Sequence, residues 1–298
     1  MLAVEWPLIR AAIRPRTIQD VRAEWKHDIK GLDDCKRQVP KVQAQSETRA
    51  KLWRRLTTPP KRRSTDCEPD LVASRAYHKM KEIAESCGLP RPSGMTTHLC
   101  EAPGGFVQAL QHDTPSLDWA WKAISRRDGP QPRIGLLPME RGMFLTGDVF
   151  DWDWCVSNLT KNGSTMVTAD GAADMDHEVL EKSHFGLLLA QTRLALYCLE
   201  GDGVLVIKFF EGLTAQTQTW IAVLTTRFRE VSVIKPEQSR ATNSERYLVC
   251  KYFDGKDEAF DVDGSVVSTA WHAQVSECMQ RMANTQLKAL QKALSAMR

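Results

Sequence analysis

The sequence predicts an α/β fold in which helices cover both faces of a mostly parallel sheet. Strand-like and helix-like segments alternate across residues 95–253, which is the order expected when crossover helices join parallel strands. The most strand-like segment, Val204–Phe210, is apolar on both faces, as a central strand covered on both sides should be. The length of 298 residues suits one such domain with additions, or two small domains.

The first 65 residues are predicted to be helical and irregular. Ile18, Val21 and Trp25 recur at helical spacing, and Trp53 lies in a second pattern of the same kind. Lysines and arginines flank Trp53 and the two prolines that follow it. Basic residues mixed with tryptophan suit nucleic acid, because cations meet phosphates and aromatic rings stack on bases. The competing interpretation is that tryptophan at helical spacing packs inside the protein.

Periodicity and turn residues predict the remaining elements in order. A helix is expected to end where glycine and proline follow it, as at Gly88, and β-branched runs between turn residues are interpreted as strands. The predicted helices cover 71–87, a segment that begins at 107, 179–199, 214–228 and a C-terminal region over 270–297, and the predicted strands end at 99 and cover 119–124, 144–149, 164–171, 204–210, 231–235 and 247–252.

Charge and cysteine distribution limit the class of protein. Residues 1–65 contain 16 Lys and Arg but 7 Asp and Glu, a net charge of +9, so −6 falls on the remainder of a chain whose total is +3. This asymmetry favours a polyanion as the partner of the basic part, and a solvated helical face is the alternative. The eight cysteines are dispersed without a C-x-x-C pair, which predicts a reducing, intracellular setting in nucleus or cytoplasm, with neither a metal site nor disulfides. No apolar run reaches the length of about 18 residues that a membrane span needs.

A glycine-rich turn, Ala102–Phe106, connects an apolar run to the start of a helix. Glycine lets the backbone approach a ligand closely, and the first turn of a helix presents unpaired N–H groups. A turn that needs glycine for backbone reasons alone is the competing interpretation. Asp148, Asp170 and Lys208 lie at or just after the ends of other strands. Since parallel sheets bind ligands beyond the carboxyl ends of their strands, the sequence predicts a ligand site where these residues and the turn meet.

Five ordered motifs over residues 71–253 resemble those of the FtsJ-like ribose 2′-O-methyltransferases. They are Ser74-Arg75-Ala76-Tyr77-x-Lys79-Met80-x-Glu82-Ile83, Ala102-Pro103-Gly104-Gly105-Phe106, Thr168-Ala169-Asp170-Gly171, Val206-Ile207-Lys208 and Lys235-Pro236-x-x-Ser239-Arg240-x-x-x-Ser244-Glu245-x-Tyr247. Within the family, four segments are similar to the adrift-type mRNA cap methyltransferases: His98-Leu99-Cys100-Glu101-Ala102-Pro103-Gly104, Trp119-x-Trp121, Thr146-Gly147-Asp148 and Asn243-Ser244-Glu245.

This resemblance implies a Rossmann-like, S-adenosylmethionine-dependent methyltransferase fold with helical additions at both termini. We expect three segments: a basic helical region at 1–70 that contacts RNA or its cap, a catalytic domain at 71–255, and a helical extension at 256–298.

By motif match, the resemblance implies a catalytic tetrad of Lys79, Asp170, Lys208 and Glu245. Methyl transfer from S-adenosylmethionine to a ribose hydroxyl is an in-line displacement, in which the oxygen must be aimed at the methyl carbon and must lose its proton. Lys208 is the candidate base. A nearby Lys79 would lower the pKa of Lys208, whereas Asp170 and Glu245 would raise it, and the sequence leaves the net direction open.

The resemblance also implies binding residues. The acid expected for the cofactor ribose is replaced by Ser125-Arg126-Arg127, so Glu101 is expected to share that role. The residues expected to bind S-adenosylmethionine are Glu101, Ala102, Pro103, Gly104, Gly105, Phe106, Trp119, Asp148 and Asp170, and those expected to bind the substrate are Arg75, Ser239, Arg240, Asn243 and Ser244.

The function implied by the resemblance is methylation of a ribose 2′-hydroxyl at the first or second transcribed nucleotide of capped mRNA. RNA rather than DNA is the expected partner because only RNA carries that hydroxyl. Two alternatives share the fold: a ribosomal RNA 2′-O-methyltransferase and a catalytically silent RNA-binding subunit. A nicotinamide-dependent oxidoreductase is disfavoured, because the turn reads A-P-G-G-F and lacks the G-x-G-x-x-G pattern.

Overall fold

The computed structural model describes residues 2–6, 13–15, 31–58, 71–112, 118–172, 180–255, 260, 262, 265–267 and 269–297. The strands in these ranges are β1 (Leu2–Trp6), β2 (Ile13–Pro15), β3 (Gly94–Leu99), β4 (Trp119–Ser125), β5 (Gly142–Thr146), β6 (Ser164–Ala169), β7 (Leu199–Phe210), β8 (Phe228–Lys235), β9 (Glu245–Phe253) and β10 (Ser265–Val267). The helices are α1 (Leu32–Ala44), α2 (Glu47–Thr57), α3 (Ala76–Cys87), α4 (Gly105–His112), α5 (Trp152–Asn158), α6 (Leu180–Cys198), α7 (Ala215–Arg227) and α8 (Thr269–Ser295).

Eight of the strands form one mixed sheet in the order β1-β8-β9-β7-β6-β3-β4-β5. The neighbours from β7 to β5 are all parallel, whereas β9 runs antiparallel to β7 and β8, and β1 runs antiparallel to β8. The remaining strands, β2 and β10, pair with each other. The carboxyl ends of β3 to β7 therefore lie along one edge of the sheet, and the predicted mostly parallel α/β fold is confirmed.

The central strand β7 is covered on both faces, as its sequence predicts. Val204 and Val206 pack into a cluster with residues of α3 and α4. The alternate residues Leu205, Ile207 and Phe209 point to the other face, into a larger cluster that includes residues of α5, α6, α7 and α8. This follows from the two-residue period of a strand, which sends successive side chains to opposite faces.

The N-terminal segment differs from the sequence-based expectation. Helices α1 and α2 confirm its helical part, but β1 and β2 are strands that the sequence pattern did not predict. Of the two interpretations of Trp53, the structure supports packing inside the protein, because only 4% of Trp53 is exposed and its ring lies in the larger cluster. The helix expected around 18–29 and the basic run 61–63 lie outside the described residues.

The helices at the two ends of the chain pack together. Helix α8 contacts α1 and α2, and Leu32, Trp53 and Trp271 belong to the same apolar cluster as the inner face of the sheet. The terminal helices are thus continuous with the core of the central sheet. Within the described ranges, no helix has the length and apolarity that crossing a membrane requires.

Candidate active site

Two lysine–carboxylate pairs lie at the carboxyl ends of β6 and β7. Lys79 on α3 places its Nζ 2.7 Å from Glu245 Oε1 and 2.9 Å from Glu245 Oε2. Lys208 on β7 donates a hydrogen bond of 2.6 Å to the backbone oxygen of Asp170, and its Nζ lies 3.1 Å from Asp170 Oδ1. The structure therefore brings all four residues of the predicted tetrad together, as two ion pairs.

The local sequence explains why these side chains converge. Helix α3 buries Tyr77, Met80 and Ile83, so Lys79 lies beside the apolar stripe and extends from it. Lys208 follows Val206 by two residues and shares its face of β7. Opposite Lys208 on β9 lies Tyr247, and Glu245 precedes it by two residues on the same face.

Tyr247 connects the two ion pairs. Its hydroxyl donates a hydrogen bond of 2.8 Å to Asp170 Oδ1, and it accepts one of 3.5 Å from Lys79 Nζ. Burial, together with Asp170 and Glu245, raises the pKa of Tyr247 well above its usual value, so the phenol stays protonated and able to donate. Sequence reasoning gave Tyr247 no role, although its position two residues after Glu245 on a strand was a signal for a shared face.

A second set of contacts fixes Glu245 and the residues just before it. The Ser239 hydroxyl donates a hydrogen bond of 2.6 Å to Glu245 Oε1. Lys235 Nζ donates to the backbone oxygens of Asn243 and Glu245 and to Asn243 Oδ1, each at 2.9 Å. Burial lowers the pKa of Lys235 to about 7. These contacts fix the loop that delivers Glu245 to the site.

The electrostatics of the site favour charged side chains. Burial alone would raise the pKa of the Glu245 carboxyl, but Lys79 and Lys208 lower it to about 2. Burial alone would lower the pKa of Lys208, but Asp170 and Glu245 outweigh it and raise that pKa above its ordinary value. The structure thus supplies the direction that the sequence left open, and Lys208 carries its proton in this arrangement.

The glycine turn differs from the expectation at its helix end. The N–H groups of Phe106 and Val107 are not free for a ligand, because both donate to Glu101 Oε1, at 2.8 and 2.9 Å. Burial raises the pKa of Glu101 to about 8, although these two donors act in the opposite direction. The contact that the structure assigns to Glu101 is this helix cap, and its role in ribose recognition stays a prediction.

Both glycines of the turn face protein in this structure. A Cβ on Gly104 would lie 2.6 Å from the Leu137 side chain, and one on Gly105 would lie 2.8 Å from the backbone nitrogen of Tyr77. The Phe106 ring is fully buried and packs against Tyr247, with ring centroids 5.9 Å apart. The expected ligand contact is therefore contradicted for the Phe106 side chain, and close packing accounts for the two glycines.

The other expected cofactor residues separate into two groups. Ala102 and Pro103, joined by a cis peptide bond, are partly exposed at the site edge, and Asp148 follows β5 with 45% of its side chain exposed. Trp119, which was expected to bind the cofactor, lies elsewhere. It begins β4, so it lies at the amino edge of the parallel strands, whereas Asp148 lies at their carboxyl edge. Its buried indole nitrogen donates a hydrogen bond of 2.9 Å to Thr96 Oγ1.

The expected substrate residues also separate. Arg75 is exposed and donates to the backbone oxygen of Gln238 at 2.7 Å. Burial lowers the pKa of Arg75, and the neighbouring guanidinium of Arg240 acts in the same direction. Ser239 and Ser244 are buried. The Ser239 hydroxyl donates a hydrogen bond to Glu245, and Asn243 accepts hydrogen bonds from Lys235. The structure thus contradicts free substrate-binding groups at Ser239 and Ser244, whereas Arg75 is exposed and Arg240 is partly exposed.

Comparison with known proteins identifies the family of the central segment. A sequence model of the FtsJ-like methyltransferase family matches residues 72–253. This range contains the two ion pairs and strands β3 to β9.

Three curated relatives carry related names. The cap-specific mRNA (nucleoside-2′-O-)-methyltransferase 1 of Trypanosoma brucei brucei is 32% identical over 215 residues, which cover 61% of this chain and 56% of that protein. The cap-specific mRNA (nucleoside-2′-O-)-methyltransferase of Autographa californica nuclear polyhedrosis virus is 34% identical over 189 residues, covering 59% and 71%. The cap-specific mRNA (nucleoside-2′-O-)-methyltransferase 2 of Danio rerio is 28% identical over 220 residues, covering 63% and 29%. The chain therefore spans about half of the trypanosome protein and under a third of the fish protein.

A solved structure agrees on the fold. The crystal structure described as a ribosomal RNA methyltransferase of Plasmodium falciparum superimposes with a TM-score of 0.50 at 21% identity, and the match covers 62% of this chain and 100% of that one. At this level of identity the likeness supports the fold alone.

Proposed function

Because the chain belongs to the FtsJ-like methyltransferase family, we propose that it methylates a ribose 2′-hydroxyl at the first or second transcribed nucleotide of capped mRNA, with S-adenosylmethionine as methyl donor and Lys208 as base. The observation that carries the proposal is the contact between two ion pairs, Lys79–Glu245 and Lys208–Asp170, through Tyr247. An acceptor hydroxyl needs a base and orienting groups within hydrogen-bond reach, and this cluster supplies both.

The residues at the strand ends fit S-adenosylmethionine, which supplies an electrophilic methyl group when it is bound. The cofactor carries a positive sulfonium and a positive amine, which suit the carboxylate of Asp170 after β6, and its adenosine part carries N–H and O–H donors, which suit the carboxylate of Asp148 after β5. Asp148 would hold the adenosine part and Asp170 would lie near the methionine part. Ala102 and Pro103 would form the wall between them.

Each member of the tetrad then has a separate task. Lys208 accepts the proton of the 2′-hydroxyl, after first losing the proton that Asp170 and Glu245 hold on it. Glu245 remains ionised at neutral pH because its pKa is about 2, so it can orient Lys79 and accept a hydrogen bond. Lys79 and Tyr247 fix the positions of the two carboxylates.

The substrate proposal is supported by the two arginines beside the tetrad. Arg240 is close enough to disfavour the charge of Arg75, and the buried Nε of Arg240 has no hydrogen-bond partner among the described residues. Two neighbouring guanidiniums, one of which has an unpaired N–H, suit a phosphate group. An RNA backbone beside the acceptor ribose would supply that phosphate, and the relatives named above as cap-specific favour the 5′ end of mRNA.

The test is methyl transfer from labelled S-adenosylmethionine to matched short RNAs with and without a cap. We expect label on the capped RNA, at a 2′-hydroxyl of the first or second nucleotide as located by mass spectrometry. Lys208→Ala should lower the rate by about 100-fold or more, while RNA affinity stays within a few fold. Lys292→Ala, an exposed lysine in the last turn of α8, is the matched control and should keep the full rate.

Two results would overturn the proposal in different ways. Equal labelling of capped and uncapped RNA would exclude cap specificity and favour a ribosomal or general RNA substrate. RNA binding without labelling of any RNA would identify a catalytically silent RNA-binding subunit.

A further inference from the structure

A buried ion pair connects the N-terminal helix to the end of the strand that carries Lys208. Lys36 on α1 and Glu211, the residue that follows β7, form this pair, and their side chains are only 9% and 11% exposed. The two residues are far apart in sequence and come from different segments, since Lys36 lies outside the range 72–253 that matches the family. Helix α1 is therefore connected by an ion pair to the residue that follows β7, three positions after Lys208.

Glu211 lies where the chain turns away from the site. It follows Lys208 by three residues, and its backbone has a φ of 55°, in the left-handed region that non-glycine residues rarely adopt. Its N–H donates a hydrogen bond of 3.1 Å to the backbone oxygen of Ser244, the residue immediately before Glu245. A strained conformation of this kind persists only where the surrounding contacts fix it, and the ion pair with Lys36 is such a contact.

The loop between β8 and β9, which delivers Glu245, is held from the C-terminal helix as well. Gln286 on α8 is buried and donates a hydrogen bond of 3.1 Å to the backbone oxygen of Thr242. On its other side, the buried carboxylate of Glu82 accepts hydrogen bonds from the N–H groups of Glu237 and Gln238, at 2.6 and 3.1 Å. The loop is thus clamped between the catalytic α3 and the added helices.

We propose that Lys36 is a positioning residue for methyl transfer, which acts through Glu211 and Ser244 to hold Glu245 in place beside Lys79 and Lys208. This inference rests on the proposed function, and Gln286 assists from the other terminal helix. A buried ion pair contributes little net stability compared with apolar residues, whereas it constrains geometry through two fixed partners. Catalysis responds to such constraints, because a displacement of about 1 Å can change a rate by about 100-fold.

The experiment compares Lys36→Met with the double variant Lys36→Met, Glu211→Gln. The single variant leaves Glu211 buried without its cation, so part of its effect will be loss of stability. The double variant removes both charges and should recover the thermal unfolding temperature. If Lys36 positions the site, kcat of the double variant stays about 10- to 100-fold low, while KM for S-adenosylmethionine stays within about twofold. Lys41→Met, an exposed lysine on the same helix, is the control and should match the wild type.

The opposite pattern would overturn the inference. If kcat recovers together with the unfolding temperature in the double variant, the ion pair stabilises the fold and has no separate influence on the reaction. Gln286→Leu provides an independent measurement on the same loop, and a normal kcat in that variant together with a normal kcat in the double variant would give the same negative answer.

A readout without turnover separates this inference from the proposed function. With ¹³C-labelled glutamate, the Glu245 carboxyl can be assigned by its absence in Glu245→Gln and titrated. The groups that face it are Lys79 from α3, Lys208 from β7 and Ser239, with Lys235 and Arg75 further away. If the double variant lets Glu245 move away from the lysines, the pKa of that carboxyl rises above its wild-type value, and an unchanged titration overturns the inference. This holds even if the wild type methylates no RNA, the result that would overturn the proposed function alone.

Discussion

Lys208 is the residue on which the proposed chemistry depends, and its surroundings hold a proton on it. Burial alone would lower the pKa of the amine, but Asp170 and Glu245 raise it, with a smaller contribution from Cys100. His184 on α6 also lies near Lys208, and burial lowers its pKa to about 4, so this imidazole is neutral and adds no charge at neutral pH. A base of this kind acts only after it has been deprotonated, which makes the reaction rate depend on pH.

The first prediction concerns that pH dependence. Because the folded pKa of Lys208 is raised, its neutral form grows as pH increases towards that value, so kcat/KM should rise from neutral into alkaline pH. Glu245→Gln removes one of the anions that raise the pKa of Lys208. The rising limb of this variant should therefore move to lower pH, although its maximal rate falls because Lys79 loses its partner.

The control for this measurement is Glu230→Gln, which removes a carboxylate paired with Lys251 on the far part of β8 and β9. Its pH–rate profile should coincide with that of the wild type. An unchanged or more alkaline profile for Glu245→Gln would show that Glu245 does not set the charge state of the base.

Among the elements, α3 and α4 approach each other where Gly105 begins α4. A Cβ at this position would lie 2.5 Å from Ser74 Oγ, 2.8 Å from the Tyr77 backbone nitrogen and 2.9 Å from the Ala76 Cβ. The Tyr77 backbone nitrogen and the Ala76 Cβ cannot move away by a side-chain rotation. The position of α3, and therefore of Lys79, depends on the absence of a side chain at residue 105.

We predict that Gly105→Ala destabilises the protein by about 1–3 kcal/mol through overpacking and lowers kcat, because α3 must shift away from α4 and would carry Lys79 with it. Gly186→Ala is the matched control. Gly186 lies exposed within α6 with nothing within 4 Å of a new Cβ, and alanine there should stabilise by about 0.5–1 kcal/mol. Thermal unfolding and initial rates measure both variants. A Gly105→Ala protein of normal stability and rate would show that α3 does not need this close approach.

The sequence predicts the elements of this fold better than the contacts between them. Strand β7 and helix α3 follow from local periodicity, and Lys208 and Asp170 follow from their places at strand ends. Trp119 was assigned to the cofactor by resemblance alone, although the predicted strand over 119–124 already places it at the amino end, away from the carboxyl edge of the sheet. The sequence assigned the two glycines to a ligand, whereas the structure brings Leu137 and the start of α3 close to them.

Contacts between segments that are far apart in sequence could not be predicted, because no local sequence pattern encodes them. Lys36 and Glu211 form their ion pair because α1 lies near the end of β7. The Glu101 carboxylate accepts hydrogen bonds from the first turn of α4, and the sequence spacing alone does not predict this cap. Tyr247 and Glu245 are the exception, since two-residue spacing on a strand already places them on one face.

At the scale of the whole molecule, the helices at both ends belong to the main core. Trp53 on α2 is 4% exposed and shares its cluster with Leu32 on α1 and Trp271 on α8. Removal of α1 and α2 would therefore expose part of the main core. The division into segments at 70 and 255 stays an interpretation of motif boundaries.

We predict that Trp53→Ala costs about 3–5 kcal/mol of stability, the usual effect of truncating a buried tryptophan. Trp152→Ala is the matched control, because Trp152 is 45% exposed and should lose much less. Thermal unfolding compares the two, and RNA affinity is measured on the folded fraction. If Trp53→Ala leaves the unfolding temperature unchanged and weakens RNA binding strongly, the main role of Trp53 is in RNA binding and not in the core.

The charge asymmetry of the chain leaves a basic surface on α2, where Lys51, Arg54 and Arg55 are exposed. If this surface meets RNA phosphates, each contact contributes about 0.7 to the slope of log K against log salt for a single strand. Replacing all three residues with alanine should lower that slope by about 2 and weaken RNA binding, with little effect on affinity for S-adenosylmethionine. The control replaces three exposed cations of α8, Arg281, Lys288 and Lys292, and changes net charge equally. Equal loss of slope in both variants would attribute binding to overall charge and not to α2.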